Sequence, residues 1–190
     1  MKHLIIFGHP NPDSFNQAIV ATYEDALKEK GHEVRIRDLY KLGFDPILKL
    51  SEMEGFKKGI YPDDVKTEQE HIKWADIITF IYPIWWGGAP AIVKGYTERI
   101  LSEGFAYTDG PKGLLSDKKA FTINTLDAPD EVYEKGGLYT SMNKVLDDIT
   151  YQFAAIKGIG HKYFASVSVV SDQERKVMLQ DVRKIAQEIC

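Results

Sequence analysis

The fold is decided by the stretch Ile77-Ile78-Thr79-Phe80-Ile81-Tyr82-Pro83-Ile84-Trp85-Trp86-Gly87-Gly88-Ala89-Pro90. Its first five residues form an apolar run that is typical of a buried strand. The run enters a loop with two tryptophans and two glycines, and Pro90 can open the helix that follows. Tryptophan faces supply stacking area and glycines let backbone N–H groups come close, so the loop suits a flat heteroaromatic ring. The alternative interpretation is that Trp85 and Trp86 are core or subunit-interface aromatics.

Outward from this stretch, segments with strand patterns alternate with segments of helical periodicity. The predicted strands cover residues 3–7, 34–38, 76–81, 119–124 and 163–170. Helices are predicted over 16–30, 90–102 and 138–155, and capping-box patterns at Thr67 and Ser171 predict two more helix starts. Residues 39–66 are predicted to be irregular. This alternation predicts a single α/β domain over residues 1–190, a doubly wound five-stranded parallel sheet with helices on both faces.

The expected strand order, 2-1-3-4-5, places a ligand crevice outside the carboxyl ends of strands one and three. The loop after strand one runs from Gly8 to Asn16 and ends at a helix N-terminus, with Asp13 or Ser14 as the cap. Free amides and the helix dipole favour an anion there, and the side chains of His9, Ser14 and Asn16 add donors. The alternative is an ordinary capped helix after a proline-rich loop. Together with the Trp loop, the segment outlines sites for a flavin phosphate and its ring.

Composition and missing motifs exclude several other classes. The formal charge of −4, from 24 basic and 28 acidic residues without long blocks, disfavours a nucleic-acid partner. No apolar run approaches the ~20 residues that span a bilayer, and Met1 leads directly into a strand, so we expect a cytoplasmic protein without membrane insertion. The only cysteine, Cys190, is terminal and is interpreted as incidental, and the scattered histidines predict no metal site. The absence of Gly-x-Gly-x-x-Gly, P-loop and Gly-x-Ser-x-Gly patterns disfavours classical dinucleotide folds, nucleotide triphosphatases and α/β-hydrolases.

Motifs along nearly the whole chain resemble the NAD(P)H quinone oxidoreductases of the flavodoxin-like fold. That group includes mammalian quinone reductase, bacterial drug-activity modulators and the ancillary reductases of potassium efflux systems. The matching segments are His9 with Ser14-Phe15-Asn16, Asp38-Leu39-Tyr40, Phe44-Asp45-Pro46, Pro83 and Trp86 with Pro90 to Gly95, Glu98-Arg99, Phe105-Ala106-Tyr107, and Gly113 with Lys118-Lys119-Ala120.

The resemblance implies a flavin that passes two electrons from NADH or NADPH to a quinone or similar acceptor by hydride transfer, in ping-pong turnover. FMN is favoured over FAD, because the longer FAD-binding relatives carry a C-terminal extension beyond the closing helix. The implied cofactor residues are His9, Ser14, Phe15, Asn16 and Ala18 for the phosphate and ribityl chain, Pro83, Ile84, Trp85, Trp86 and Gly87 for the ring edge, and Asn124, Thr125, Leu126 and Asp127 after strand four.

The loop after strand four departs from the pattern of the relatives. They carry Thr-Thr-Gly-Gly, then a tyrosine and a histidine near the flavin carbonyl, whereas this chain keeps Tyr133 and has Tyr139 in place of the histidine. A phenol can donate a hydrogen bond to charge on a reduced flavin, so Tyr133 and Tyr139 are the predicted catalytic pair. The alternative for Tyr139 is a packed aromatic side chain.

The acceptor pocket is expected to be lined by Trp86, Phe105 and Tyr107. By resemblance the protein forms a homodimer, and Tyr107 acts from the partner subunit. Three other hypotheses stay open at this point. They are a regulatory flavin-binding subunit of a potassium efflux system, a one-electron carrier, and a flavin-free protein of the same fold.

Overall fold

A parallel five-stranded sheet forms the centre of the computed structural model, which describes residues 1–108, 110 and 112–189. The strands are β1 (Lys2–Phe7), β2 (Glu33–Asp38), β3 (Ile77–Pro83), β4 (Lys119–Thr125) and β5 (Lys157–Phe164). Their order is β2-β1-β3-β4-β5, which confirms the predicted doubly wound sheet. Cys190, interpreted above as incidental, lies outside the described residues.

Helices cover both faces of the sheet. They are α1 (Phe15–Glu29), α2 (Leu50–Phe56), α3 (Asp63–Trp74), α4 (Ala91–Ile100), α5 (Asp130–Lys135), α6 (Leu138–Lys144), a π-helix (Val145–Tyr151) and α7 (Asp172–Glu188). Alternate residues of β1 point to opposite faces: Leu4 and Ile6 pack under α3 and α4, while Ile5 and Phe7 pack under α1 and α7. Within the described residues, none of these helices is long and apolar enough to cross a membrane.

Parallel register brings the carboxyl ends of the three central strands together. Phe7 of β1 lies beside Ile81 of β3, and Ile81 lies beside Ile123 of β4. The loops that follow these positions therefore leave the sheet at the same edge. This is the edge at which open α/β sheets bind ligands, between the strands where chain order reverses.

The segment 39–66 was predicted to be irregular, and that prediction was wrong. It contains α2, and α3 begins at Asp63 behind Pro62 rather than at the predicted capping box of Thr67. The physical reason is a buried ion cluster around Arg99 of α4. Its Nη2 lies 2.6 Å from Glu52 Oε1 on α2, and its Nη1 lies 2.8 Å from Asp64 Oδ2 on α3. A seven-residue helix has little stability alone, so these long-range contacts decide where it forms.

Two boundaries on the far side of the sheet also differ from expectation. The fifth strand occupies 157–164 rather than 163–170, because pairing with β4 starts at Lys157 and Ser166 takes a positive φ of 55° just beyond the strand. The predicted helix 138–155 is split into α6 and the π-helix. The wider π-helix places Tyr151 over the sheet, where its hydroxyl shares a hydrogen bond of 2.9 Å with that of Thr122.

A buried histidine pair lies at the opposite, amino-terminal end of β1. His3 is fully buried, and its Nε2 lies 2.8 Å from Nδ1 of His32. Burial, the neighbouring His32 and the N-terminal ammonium lower the pKa of His3 to about 4, against a weaker opposing effect of Asp76. The folded protein therefore holds this imidazole neutral at pH values where an unfolded chain protonates it.

We predict an acid-dependent loss of stability that originates at His3. The unfolded chain binds a proton at His3 below pH ~6.5, and the folded chain binds one there only near pH ~4. The contribution of His3 to the free energy of unfolding is therefore constant above this window and falls as the pH is lowered through it. At pH 5 the expected loss is about 2 kcal/mol. Urea unfolding of the wild type and His3→Gln at pH 8 and pH 5 measures this contribution. Equal losses in the two proteins would contradict the assignment.

Candidate functional site

The Trp loop is a tight turn at the carboxyl end of β3. The N–H of Trp85 donates to the carbonyl of Gly88 at 2.9 Å, and the N–H of Gly88 donates to the carbonyl of Trp85 at 3.1 Å. Trp86 and Gly87, at the two central positions, have φ values of 52° and 76°. Two positive φ values in a two-residue connection define a type I′ turn. We call residues 85–88 the Trp turn.

The conformation of Trp86 is unusual for so large a side chain. L-residues avoid the left-handed region, and asparagine or glycine normally occupies this position of a type I′ turn. Trp86 nevertheless projects fully into solvent, with a relative exposure of 105%. Trp85 is 40% exposed, and its ring centroid lies 5.9 Å from that of His9. The turn thus displays an indole next to the loop that follows β1, at a cost in backbone strain.

Hydrogen bonds join the three loops at this edge of the sheet. The N–H of Ile84 donates to the carbonyl of Thr125 at 2.8 Å, and Nδ2 of Asn16 donates to Oγ1 of the same threonine at 2.7 Å. Nδ2 of Asn124 donates to the carbonyl of Tyr82 at 3.0 Å. The predicted residues Asn16, Ile84, Asn124 and Thr125 are therefore brought together.

The loop before α1 presents several hydrogen-bond donors. Ser14 is the N-cap, and its hydroxyl oxygen accepts from the N–H of Gln17 at 3.2 Å, which leaves the O–H proton available. Within the described residues the amides of Phe15 and Asn16 carry no hydrogen bond, as expected for a first helical turn. Nδ1 of His9 lies 3.0 Å from the N–H and 3.2 Å from the carbonyl oxygen of Asn11, so this contact leaves Nε2 for a ligand.

Two buried amide oxygens at this edge lack partners among the described residues. They are Oδ1 of Asn16 and Oδ1 of Asn124, and both side chains are at most 3% exposed. A buried acceptor without a donor carries a free-energy cost of about 1–3 kcal/mol, so it points to a missing hydrogen-bond donor. A polyhydroxyl chain that ends in a phosphate fits the combination of unpaired acceptors and the donor-rich N-terminus of α1.

The other residues predicted at this edge are placed as follows. Ala18 is half-buried in the first turns of α1, and Phe15 packs edge-on against Phe164 at a centroid distance of 6.4 Å. Pro83 is the buried last residue of β3. After β4, Leu126 is 2% exposed, whereas Asp127 is exposed.

The tyrosines predicted to handle protons form a stack. The ring of Tyr139 lies 5.3 Å from that of Tyr133 and 4.5 Å from that of Tyr163. Its hydroxyl donates to Oδ1 of Asp130 at 2.5 Å, and burial together with this hydrogen bond raises the pKa of Tyr139. The proton of Tyr139 is thus directed at a carboxylate on α5. The catalytic role of Tyr133 and Tyr139 stays a prediction, and Asp130 is a partner that the sequence motifs did not indicate.

A cavity of about 510 Å³ opens directly beside the Trp turn. Its mouth is formed by Ile84, Gly87, Gly88, Ala89 and Tyr133. Beyond the mouth it runs between α4 on one side and α6 with the π-helix on the other, over a floor of β3 side chains. We call it the α4–π cavity, and its volume is within the range of small-molecule sites.

Sequence reasoning missed most of the lining of this cavity. The additional residues include Phe80 and Tyr82 from β3, Val93 and Thr97 from α4, Met142 from α6, and Leu146, Thr150 and Tyr151 from the π-helix. The spacing of Val93 and Thr97, four residues apart on one helix face, was a usable signal. No sequence signal indicated the π-helix, because its wider turn follows from packing rather than from local periodicity.

Phe105 and Tyr107 do not lie at the edge of the sheet that carries the Trp turn. Phe105 is 8% exposed and lines a surface depression with Lys118, which directly precedes the amino end of β4. Tyr107 contacts Phe153, with ring centroids 4.8 Å apart. Because α4 runs antiparallel to the strands, both residues are at the end of the sheet opposite the Trp turn. Within one chain they therefore do not share a pocket with Trp86, and their place in an acceptor pocket shared between two subunits stays a prediction.

Comparison with known proteins agrees with this architecture. A family model described as flavodoxin-like fold matches residues 1–189. The chain is 39% identical to an uncharacterized NAD(P)H oxidoreductase from Haemophilus influenzae, over 95% of this chain and 91% of that protein. It is 33% identical to NAD(P)H dehydrogenase (quinone) 1 from Cavia porcellus, over 84% of this chain and 70% of that protein.

A solved structure extends the similarity to three dimensions. The NAD(P)H:quinone oxidoreductase from Methanothermobacter marburgensis superposes with a TM-score of 0.91 and is 28% identical. The alignment covers 100% of this chain and 96% of that one. The fold described above is therefore shared along the full length of both proteins.

We predict that the strain at position 86 can be measured with two variants. Trp86→Gly and Trp86→Ala both remove a fully exposed ring, so neither loses packing, but only alanine keeps a Cβ in the left-handed region. The glycine variant should be more stable by about 0.5–1 kcal/mol, despite the higher entropy of glycine in the unfolded chain. Urea unfolding at neutral pH measures the difference. An alanine variant as stable as the glycine variant would show that the turn is unstrained.

Proposed function

The chain belongs to the flavodoxin-like fold family, and we propose that it is a flavin-dependent NAD(P)H:quinone oxidoreductase that transfers two electrons to quinones or similar acceptors. The named relatives are oxidoreductases, so an enzyme is favoured over a regulatory subunit of a potassium efflux system. We further propose FMN as the flavin, with NADH or NADPH as reductant.

One observation carries the proposal. The strand ends bring an exposed indole turn, a donor-rich helix N-terminus and the unpaired, buried Oδ1 of Asn16 to one edge of the sheet. These features fit the ring, the phosphate and the ribityl chain of a flavin, in that order. When bound, the flavin supplies the redox chemistry, because it accepts a hydride from a nicotinamide and returns two electrons to an acceptor in ping-pong turnover.

The residues of the chain bind and orient this group. The Ser14 hydroxyl and the free amides of Phe15 and Asn16 would donate to the phosphate, where the helix dipole also favours negative charge. His9 would add a donor from Nε2, the nitrogen left free by its bond with Asn11. Oδ1 of Asn16 would accept from a ribityl hydroxyl, which removes the cost of leaving it unpaired.

The Trp turn would hold the ring itself. Trp85 and Trp86 would supply flat apolar surface that excludes water from one edge, and a Cβ at Gly87 would meet no atom within 4 Å, so the backbone there is open to a ring. Tyr133 lines the neighbouring cavity, and its hydroxyl would donate to negative charge on the reduced ring. Tyr139 stacks on Tyr133 and would orient it, while the hydroxyl of Tyr139 keeps its proton and donates it to Asp130.

Anaerobic absorbance of the purified protein tests the proposal. We expect flavin absorbance that bleaches with NADH or NADPH and recovers with menadione at the rate of turnover, with FMN identified by mass after release. Protein that takes up neither FMN nor FAD would refute the cofactor assignment. Bound flavin that resists both nicotinamides would refute the reductase.

The variant Asn16→Asp sharpens this test. It is nearly isosteric, but it removes the donor to Thr125 and adds a buried negative charge close to the proposed phosphate. We expect FMN to bind at least about tenfold more weakly, a loss comparable to that of one hydrogen bond to a charged group. Asn143→Asp is the matched control, because it makes the same change on α6 and keeps the acceptor for the Tyr163 hydroxyl. Equal FMN affinities for the two variants would contradict the assignment of Asn16.

We also propose that the acceptor pocket is completed by a second copy of the chain. Tyr107 lies at the opposite end of the sheet from the Trp turn, so it can reach an acceptor only from another protomer. An apolar stripe of Val145, Ile149 and Phe153 is 46–68% exposed beside the α4–π cavity, as expected for a surface that a second copy covers. An antiparallel two-fold dimer would place each Tyr107 on the crevice of its partner.

Complementation between two defective variants tests this arrangement. Tyr107→Ala lacks the proposed pocket wall, and Asn16→Asp stays largely without flavin at an FMN concentration that just saturates the wild type, but a mixed dimer restores one complete site. Random mixing makes about half of the dimers mixed, so co-refolded protein should recover about a quarter of wild-type turnover. If all site residues came from one protomer, mixing would restore nothing, and that outcome would exclude the shared site.

A further inference from the structure

The α4–π cavity continues well past the residues that would hold a flavin ring. Its lining runs from Ile84, the residue after β3, to Phe80 within β3, which is four residues of extended chain or about 13 Å. Its α4 wall runs from Ala89 to Thr97, which is about 12 Å along the helix axis. The two lengths agree, so the cavity is an elongated groove that starts beside the Trp turn and leads away from it.

Most polar side chains along this groove, with the exception of Tyr133, make hydrogen bonds within the protein. The hydroxyl of Tyr163 donates to Asn143 at 2.8 Å, and that of Tyr151 is paired with Thr122. On the walls, the hydroxyls of Thr97, Thr150 and Ser141 each donate to a backbone carbonyl of their own helical segment. The ammonium of Lys94 at the rim is paired with Glu98 at 2.7 Å. The rest of the lining is largely apolar and includes Phe80, Ile84, Val93, Leu138, Met142, Val145 and Leu146.

This pairing selects the chemistry of the occupant. A second nucleotide, a sugar or a polar ring would give up many hydrogen bonds to water and find few partners among these side chains, whose donor hydrogens are mostly used, which is unfavourable. A hydrocarbon chain has no hydrogen bonds to water to give up, and it gains contact with Val93, Leu146 and Tyr151. The groove is therefore built for an unbranched or regularly methylated apolar chain.

We propose that the groove binds the apolar tail of a prenylated quinone whose ring is reduced beside the Trp turn. This inference rests on the proposed quinone reductase function and specifies its acceptor class. An isoprenoid unit adds four carbons to the main chain and spans about 5 Å at about 1.5 Å per C–C bond. A groove of 12–13 Å thus accommodates about two units.

The test compares menadione with the same naphthoquinone ring carrying two isoprenoid units. Each buried methylene strengthens transfer from water about fourfold, so the tailed quinone should bind the wild type at least about tenfold more tightly. Affinity is measured twice, as KM with the flavin-loaded enzyme and as Kd by quenching of tryptophan fluorescence in the flavin-free protein. The second measurement does not depend on turnover.

Thr97→Phe fills the far end of the groove, where the second isoprenoid unit would lie, and Thr67→Phe is the matched control. Thr67 lies on α3, is exposed, and makes the same hydrogen bond to the carbonyl four residues earlier. We expect Thr97→Phe to reduce the preference for the tailed quinone to within about twofold of unity, and Thr67→Phe to keep the wild-type preference. Thermal unfolding confirms that both variants are folded.

The outcomes separate this inference from the function on which it rests. If menadione is reduced but the tail brings no gain in KM or Kd, or if Thr97→Phe keeps the full gain, the groove does not bind the tail. If neither quinone is reduced, the proposed function fails, while the fluorescence titration still decides whether the groove takes the tail. A tail preference lost equally in Thr97→Phe and Thr67→Phe would place tail binding elsewhere and overturn the inference.

Discussion

The alignment of the carboxyl ends of β1, β3 and β4 is the constraint on which the rest of the structure depends. Parallel pairing sets Phe7 beside Ile81 and Ile81 beside Ile123, so three loops leave the sheet at one edge. Because the chain travels in opposite directions from β1 and β3, the connections diverge and leave a crevice between them. Hydrogen bonds to Thr125 then join the loops into one unit. The helix N-terminus and the Trp turn are neighbours only because of this register.

At that edge the chain departs from two rules of protein structure. A tryptophan adopts a left-handed conformation with its ring in solvent, and two buried amide oxygens have no partner among the described residues. Both features carry a cost in stability, and both fit the proposed flavin, which would cover the ring and donate to the amides. Single departures of the same kinds also occur elsewhere, such as the positive φ of Ser166 and the unpaired Nδ1 of His3, but here they lie together at the ends of neighbouring strands.

The position of α4 links the core to the proposed tail groove. On one side, Arg99 binds Glu52 and Asp64, and Gly95 lets the backbone of Pro46 approach the helix closely. These contacts hold α4 against α2 and α3. On its other side, α4 faces the π-helix across the groove. The helix can leave this gap open because the ion cluster around Arg99 holds its opposite side. Burial of Arg99 and Glu52 would carry a large desolvation penalty if their charges were not paired with each other.

The sequence by itself determined the order of strands and helices, the doubly wound sheet, the edge that carries the crevice and the character of the Trp loop. These features depend on local periodicity, which can be read from the sequence, and on rules that hold for parallel sheets in general. Tertiary structure alone decided the bounds of α2 and β5, the π-helix, the bond from Tyr139 to Asp130, and the separation of Tyr107 from Trp86. Each of these follows from contacts between residues far apart in the chain, such as Arg99 with Glu52, whose free energies outweigh the weak local preferences of short segments.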